Sequence, residues 1–235
     1  MSQRTRIKVC GVKDVAAALA AADAGADFVG LVFVRASPRF IPPEAAREIV
    51  AALPIGVEPI GLFCDHTVDD VRDAAATAGL RTVQLHGREG PGFAKQLGGL
   101  RIIKAIGFEP GKLAERLQPW REARTGLAAV LLDTPPKADA AITGGGGEPF
   151  DWDALADAES TGHFRGLPPR FLAGGLTPRN VAAAIEKVRP YAVDVSSGVE
   201  SSRGVKDPAM IAHFCAAVRD ADRADKSARY PLSDA

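Results

Sequence analysis

Short apolar runs alternate with longer amphipathic or alanine-rich stretches along almost the whole chain. Ile7 to Cys10 has strand length, and Val15 to Ala24 has helix length, with Val15, Leu19 and Ala22 on one side and Gly25 closing it. Strands are predicted at Phe28 to Val34, Glu58 to Cys64, Arg81 to His86, Arg101 to Ile106 and Leu127 to Asp133. Between them the polar–apolar period predicts helices near 44–52, 68–78 and 112–121, with room for only a short one within 90–99. Phe171 to Ala173 and Tyr191 to Val195 are two more strands. The helix between them has Val181, Ala184, Ile185 and Val188 on one face, with Thr177 as expected N-cap and Pro178 at the first helical position. A last helix is expected from about Pro208 to Asp222. Residues 223–235 are polar without a period and read as a tail lacking packed structure.

Strict strand–helix alternation over eight units, with no β-hairpin left over, predicts an α/β fold of the (β/α)₈ TIM-barrel class, a single domain over residues 1–222. A doubly wound open sheet that binds dinucleotides would carry GxGxxG after its first strand, whereas CGVKD stands there. Two connections exceed what packing needs. Thr134 to Pro149, with Gly144, Gly145, Gly146 and Gly147, follows a strand and reads as a lid at the catalytic rim. Glu159 to Pro169 precedes a strand and belongs to the opposite, stabilising face.

The formal net charge is zero, which offers neither a basic stripe for nucleic acid nor a polybasic membrane surface. The three cysteines show no CxxC spacing, so neither a disulfide framework nor a zinc ribbon is suggested. The opening MSQRTRIKVCG passes directly into a strand without a signal-peptide pattern, and no apolar run is long enough to span a bilayer. A cytoplasmic protein is the expectation.

Chemistry in such a barrel belongs at the C-terminal ends of the strands. Cys10, His86, Asp133 and Asp194 stand there, with Arg39 in the loop after the second strand. Alternation puts Lys8 and Cys10 on one strand face, where the cation favours a thiolate and burial opposes it; the expectation is that Lys8 and substrate win, giving a pKa below that of a free cysteine. The alternative for Cys10 is a small core hydrophobe. Asp133 closes the apolar run LAAVLLD, as suits a general acid; an N-cap or a salt bridge is the alternative. Asp194 interrupts an apolar strand in the same way, and His86 reads as ligand, base or buried structural histidine. No spacing requires a metal. Two successive units end in small turns, Gly174–Gly175 and Ser196–Ser197–Gly198, whose backbone N–H groups and hydroxyls make an anion cradle, the expected phosphate site of a barrel.

The ordered blocks IKVCGVKD, GLVFVRASPRFI, VQLHG, LLD, GGGGEPFDW, FLAGGLTPRNV and VDVSSGVESSRGVKD resemble those of the phosphoribosylanthranilate isomerases of tryptophan biosynthesis, from Ile7 to about Phe214. The resemblance implies the barrel and an Amadori rearrangement of phosphoribosylanthranilate to a carboxyphenylamino-deoxyribulose phosphate. It implies Cys10 as general base, Asp133 as general acid, Arg39 facing the anthranilate carboxylate, and phosphate at the two turns. It implies no cofactor or metal, and as partner only the phosphosugar–anthranilate substrate, the chain being a monomer or homodimer. Two positions depart from the family pattern: Gly146 replaces a hydroxyl residue in the lid, and Arg203 replaces a proline before Gly204. Other readings are a bifunctional or histidine-pathway isomerase, a Schiff-base lyase using Lys8 or Lys104, and a non-catalytic phosphosugar-binding barrel.

Overall fold

A computed structural model describes residues 4–123, 127–135 and 151–229. Strands β1 (Arg6–Cys10), β2 (Phe28–Val32), β3 (Glu58–Phe63), β4 (Thr82–Leu85), β5 (Arg101–Gly107), β6 (Leu127–Asp133), β7 (Arg170–Leu172) and β8 (Ala192–Val195) close into one barrel in chain order, every pair parallel. Parallel neighbours need crossovers. These are α1 (Val15–Asp23), α2 (Pro43–Ala52), α3 (Val68–Ala78), α4 (Pro91–Gln96), α5 (Leu113–Ala123), α6 (Trp152–Ser160) and α7 (Val181–Val188), and α8 (Pro208–Arg229) follows β8. The fold is the (β/α)₈ barrel that the alternation predicts.

Side-chain alternation divides the core in two. Residues such as Val9, Val29, Leu132 and Val193 point outward to meet the helices. Phe28, Ile60, Ile103, Leu131 and Phe171 fill the inside, with the rings of Phe28 and Phe171 5.2 Å apart. Toward the C-terminal end the interior gains polar groups: Lys8 and Gln84 are fully buried, and Cys10, Asp133 and Asp194 lie near the rim. The apolar plug thus supports a polar layer at the C-terminal end.

Several local expectations change. The buried face of α1 is Ala17, Ala18 and Ala21, while Leu19 is 38% exposed, because in a helix apolar on nearly every side the closest packing selects the smallest residues. Helix α7 begins at Val181 with Asn180 as N-cap, not at Thr177. The Asn180 side chain accepts from Thr177 N–H at 2.7 Å and donates to Gly175 O at 2.9 Å, so 177–180 is spent closing a turn. Helix α8 runs on to Arg229, past the Asp222 at which the sequence reading ends it. The chain also contains a hairpin, β9 (Glu200–Ser202) with β10 (Val205–Lys206), where none is expected. Residues 230–235 of the polar tail lie outside the described part.

Candidate active site

Cys10, Arg39, His86, Asp133, Asp194, Gly174, Gly175, Ser196 and Ser197 all line one cavity of about 840 Å³, mouth included, at the C-terminal end of the barrel. Gly198 does not line it. A Cβ there would overlap the Leu176 carbonyl, so this glycine lets the turn after β8 press against the turn after β7. Gly174 and Gly175 have φ of +82° and +64°, conformations glycine adopts without strain, and Asn180 holds their turn from behind. The four lid glycines, 144–147, lie outside the described residues.

Cys10 stands opposite Gly30 in the β1–β2 register, and a Cβ at position 30 would come within 2.7 Å of its Sγ. Beneath it, the parallel pairing sets Lys8 beside Asp194, whose Nζ and Oδ2 are 2.9 Å apart. Burial penalises charge on both partners, pushing the ammonium down and the carboxyl up; Asp194 and Cys10 outweigh it for Lys8, which is held above its ordinary value. Asp194 Oδ1 is buried with no hydrogen-bond partner among the described residues. Burial also pushes the Cys10 thiol up, and it outweighs the opposing pull of Lys8 and Lys206. The expectation that Lys8 would bring Cys10 below a free cysteine is therefore corrected: desolvation wins.

Asp133 Oδ1 accepts from Thr134 N–H at 2.7 Å, and Oδ2 lies 3.3 Å from His86 Nε2. The Gln84 side-chain amide lies 2.8 Å from His86 Nδ1 and so holds the ring whose Nε2 faces Asp133. His86 thus lines the cavity and also braces the carboxylate. Of the lysines considered for a Schiff base, Lys8 pairs with Asp194, and Lys104 with Glu89 at 3.0 Å.

Arg39 is held by a group the sequence reading leaves out. Its Nε and Nη2 donate to Glu200 Oε1 and Oε2 at 2.7 and 2.9 Å. Lys206 Nζ donates to the same Oε1 at 2.8 Å and to Ser196 O at 2.9 Å, and Gly204 N–H reaches Oε2 at 3.0 Å. Burial would raise the Glu200 carboxyl, but hydrogen bonds from Arg39, Lys206 and Gly204 overcome it and bring the pKa to about 2. The Arg39 contacts come from the β9–β10 hairpin docking on the loop after β2, while Lys206 ties the hairpin to the turn after β8. Among the described residues no three His, Cys, Asp or Glu side chains are placed to hold a metal, and no helix is long and apolar enough to cross a membrane.

Residues 7–217 match the family profile of N-(5'phosphoribosyl)anthranilate (PRA) isomerase. The chain belongs to the N-(5'-phosphoribosyl)anthranilate isomerase family. It is 45% identical over 210 residues to the N-(5'-phosphoribosyl)anthranilate isomerase of Geobacter sulfurreducens, covering 89% of this chain and 96% of that one. The crystal structure of phosphoribosyl anthranilate isomerase from Thermotoga maritima superposes with a TM-score of 0.80 at 36% identity, over 92% of this chain and 99% of the other. A phosphoribosyl anthranilate isomerase solved with reduced 1-(o-carboxyphenylamino)-1-deoxyribulose 5-phosphate gives a TM-score of 0.78 at 35% identity, with the same coverage.

Four residues of this phosphoribosylanthranilate isomerase family site escape a reading confined to strand ends. Gln84 had a signal, a polar residue inside the apolar run TVQL. Gly30 had a weaker one, a glycine in the middle of β2. Glu200 and Lys206 had none, because the polar stretch ESSRGVK shows no strand period of its own.

Proposed function

We propose that this isomerase rearranges N-(5'-phosphoribosyl)anthranilate to 1-(2-carboxyphenylamino)-1-deoxyribulose 5-phosphate, with Asp133 as general acid and Cys10 as general base. Asp133 protonates the furanose ring oxygen as the anilino nitrogen pushes out the C1–O bond, opening the ring to a Schiff base. Cys10 thiolate then takes the C2 proton. The resulting enolamine relaxes to the ketone as C1 gains a proton and the C2 hydroxyl loses one. Atoms and electrons balance within the substrate, so the reaction as written needs no cofactor.

The observation that carries this reading is one cavity lined by both Asp133 and Cys10, with Arg39 and the two small turns around them. A raised thiol pKa lowers the thiolate population but makes each thiolate a stronger base, and Lys8 stands ready to neutralise it. Arg39 meets the anthranilate carboxylate with a planar fork. His86 and Asp194 contact the sugar, with Asp194 Oδ1, buried and unpartnered among the described residues, accepting a ribose hydroxyl. Gly174, Gly175, Ser196, Ser197 and Gly198 form the phosphate cradle, Gly198 by letting the two turns meet. A cytoplasmic setting would keep the thiol reduced.

The test is the fluorescence of phosphoribosylanthranilate. Purified chain should consume it, whereas saturable binding without consumption would favour the non-catalytic barrel.

A further inference from the structure

We infer that Glu200 is a positioning residue for this isomerisation: its carboxylate holds the Arg39 guanidinium side-on, so that the outer edge of the fork meets the anthranilate carboxylate. The inference rests on the assignment of Arg39 to that carboxylate.

The geometry is specific about which edge is taken. Glu200 engages Nε and Nη2, the side edge, leaving the Nη1–Nη2 end edge for a second carboxylate. Arg39 is fixed elsewhere too. Its backbone N–H donates to Ser37 Oγ at 3.1 Å, and its side chain lies across Gly11, where a Cβ would overlap it. The clamp is itself anchored: a Cβ on Gly204, at the hairpin turn, would come within 2.6 Å of Pro38 O, one residue from Arg39.

A carboxylate so close would ordinarily spoil an anion site by cancelling Arg39. Lys206 removes that objection. It bonds the same Glu200 oxygen as Arg39 does, so two cations share one anion and a net positive charge remains for the substrate. Ordering the long arginine before binding spares the substrate that entropic cost. Glu200 therefore gives orientation, and Lys206 keeps the orientation from costing charge.

The test compares two ligands by calorimetry: reduced 1-(o-carboxyphenylamino)-1-deoxyribulose 5-phosphate, and its analogue lacking the ring carboxylate. Each is titrated into parent, Glu200→Gln, Arg39→Ala and the double variant, with thermal melts confirming that each is folded. Glu200→Gln keeps the side-chain shape and removes the charge. It should weaken the carboxylated ligand by about tenfold and the analogue by less than about twofold, with no further loss in the Arg39→Ala background. In turnover it should raise KM while kcat stays within about threefold. Equal weakening of both ligands, no weakening of either, or the same loss with Arg39 already removed would overturn the positioning role. Arg39→Ala alone reports separately on the underlying assignment: if it fails to discriminate between the two ligands, that assignment falls and the inference falls with it.

Discussion

The Glu200 ion cluster predicts a particular acid sensitivity. Its carboxyl falls from an ordinary 4.5 to about 2 in the folded chain. A depressed carboxyl contributes stability that is fully present above the unfolded value and is lost as pH falls through the folded one. That interval is worth on the order of 3 kcal/mol at pH 7, since each decade is about 1.4 kcal/mol. At pH 3.5 the same linkage leaves about 2 kcal/mol, so over 1 kcal/mol should disappear between the two conditions. Screening by water at the rim trims both figures, and a neutral variant isolates the effect from every other titrating carboxyl. Urea unfolding of parent and Glu200→Gln at pH 7 and pH 3.5 gives the comparison. The parent's advantage should be large at pH 7 and shrink by roughly 1 kcal/mol at pH 3.5. An advantage identical at both pH values would show that Glu200 is not held as an ionised partner of Arg39 and Lys206.

Two further outcomes follow from the same geometry. Because burial raises the Cys10 thiol above its ordinary 9.0, its iodoacetamide alkylation should climb with pH to a midpoint above that value, and Lys8→Met should move the midpoint higher still; Cys10→Ser corrects for Cys64 and Cys215, and a midpoint below 8 in the parent would refute the dominance of burial. Arg39→Ala should raise KM much more than it lowers kcat, because the anthranilate carboxylate keeps its charge throughout the reaction; steady-state kinetics with an unchanged KM would assign Arg39 to the fold alone.

The parts of this molecule legible in its sequence are those where local pattern and tertiary role agree. Cys10 and Asp133 stand out because each ends a strand, and strand ends are where a parallel barrel opens. The two turns proposed to hold phosphate stand out because small residues recur after consecutive strands. Where packing decides, the pattern is silent. Helix α1 is apolar almost throughout, so packing and not pattern decides that Ala17, Ala18 and Ala21 are its buried side. Thr177 reads as the cap, but residues 177–180 close the Gly175 turn instead, and the helix starts only after Asn180. The hairpin of Glu200 and Lys206 is the plainest case, since its two short strands exist through contacts with Arg39, Gly204 and Ser196. The direction of the Cys10 shift was illegible for a related reason. Lys8 is visible two residues away, but the depth of burial that outweighs it is a property of the closed barrel.

The most direct test of the acid–base assignment is kcat for Asp133→Asn. The substitution preserves shape and the ability to accept from Thr134 N–H, while removing the proton that must reach the ring oxygen. With an unchanged melting curve, kcat should fall by ~10²–10⁴-fold, the usual contribution of a positioned acid. A folded Asp133→Asn enzyme turning over within about threefold of the parent would contradict the assignment, because that loss is far below what a general acid contributes.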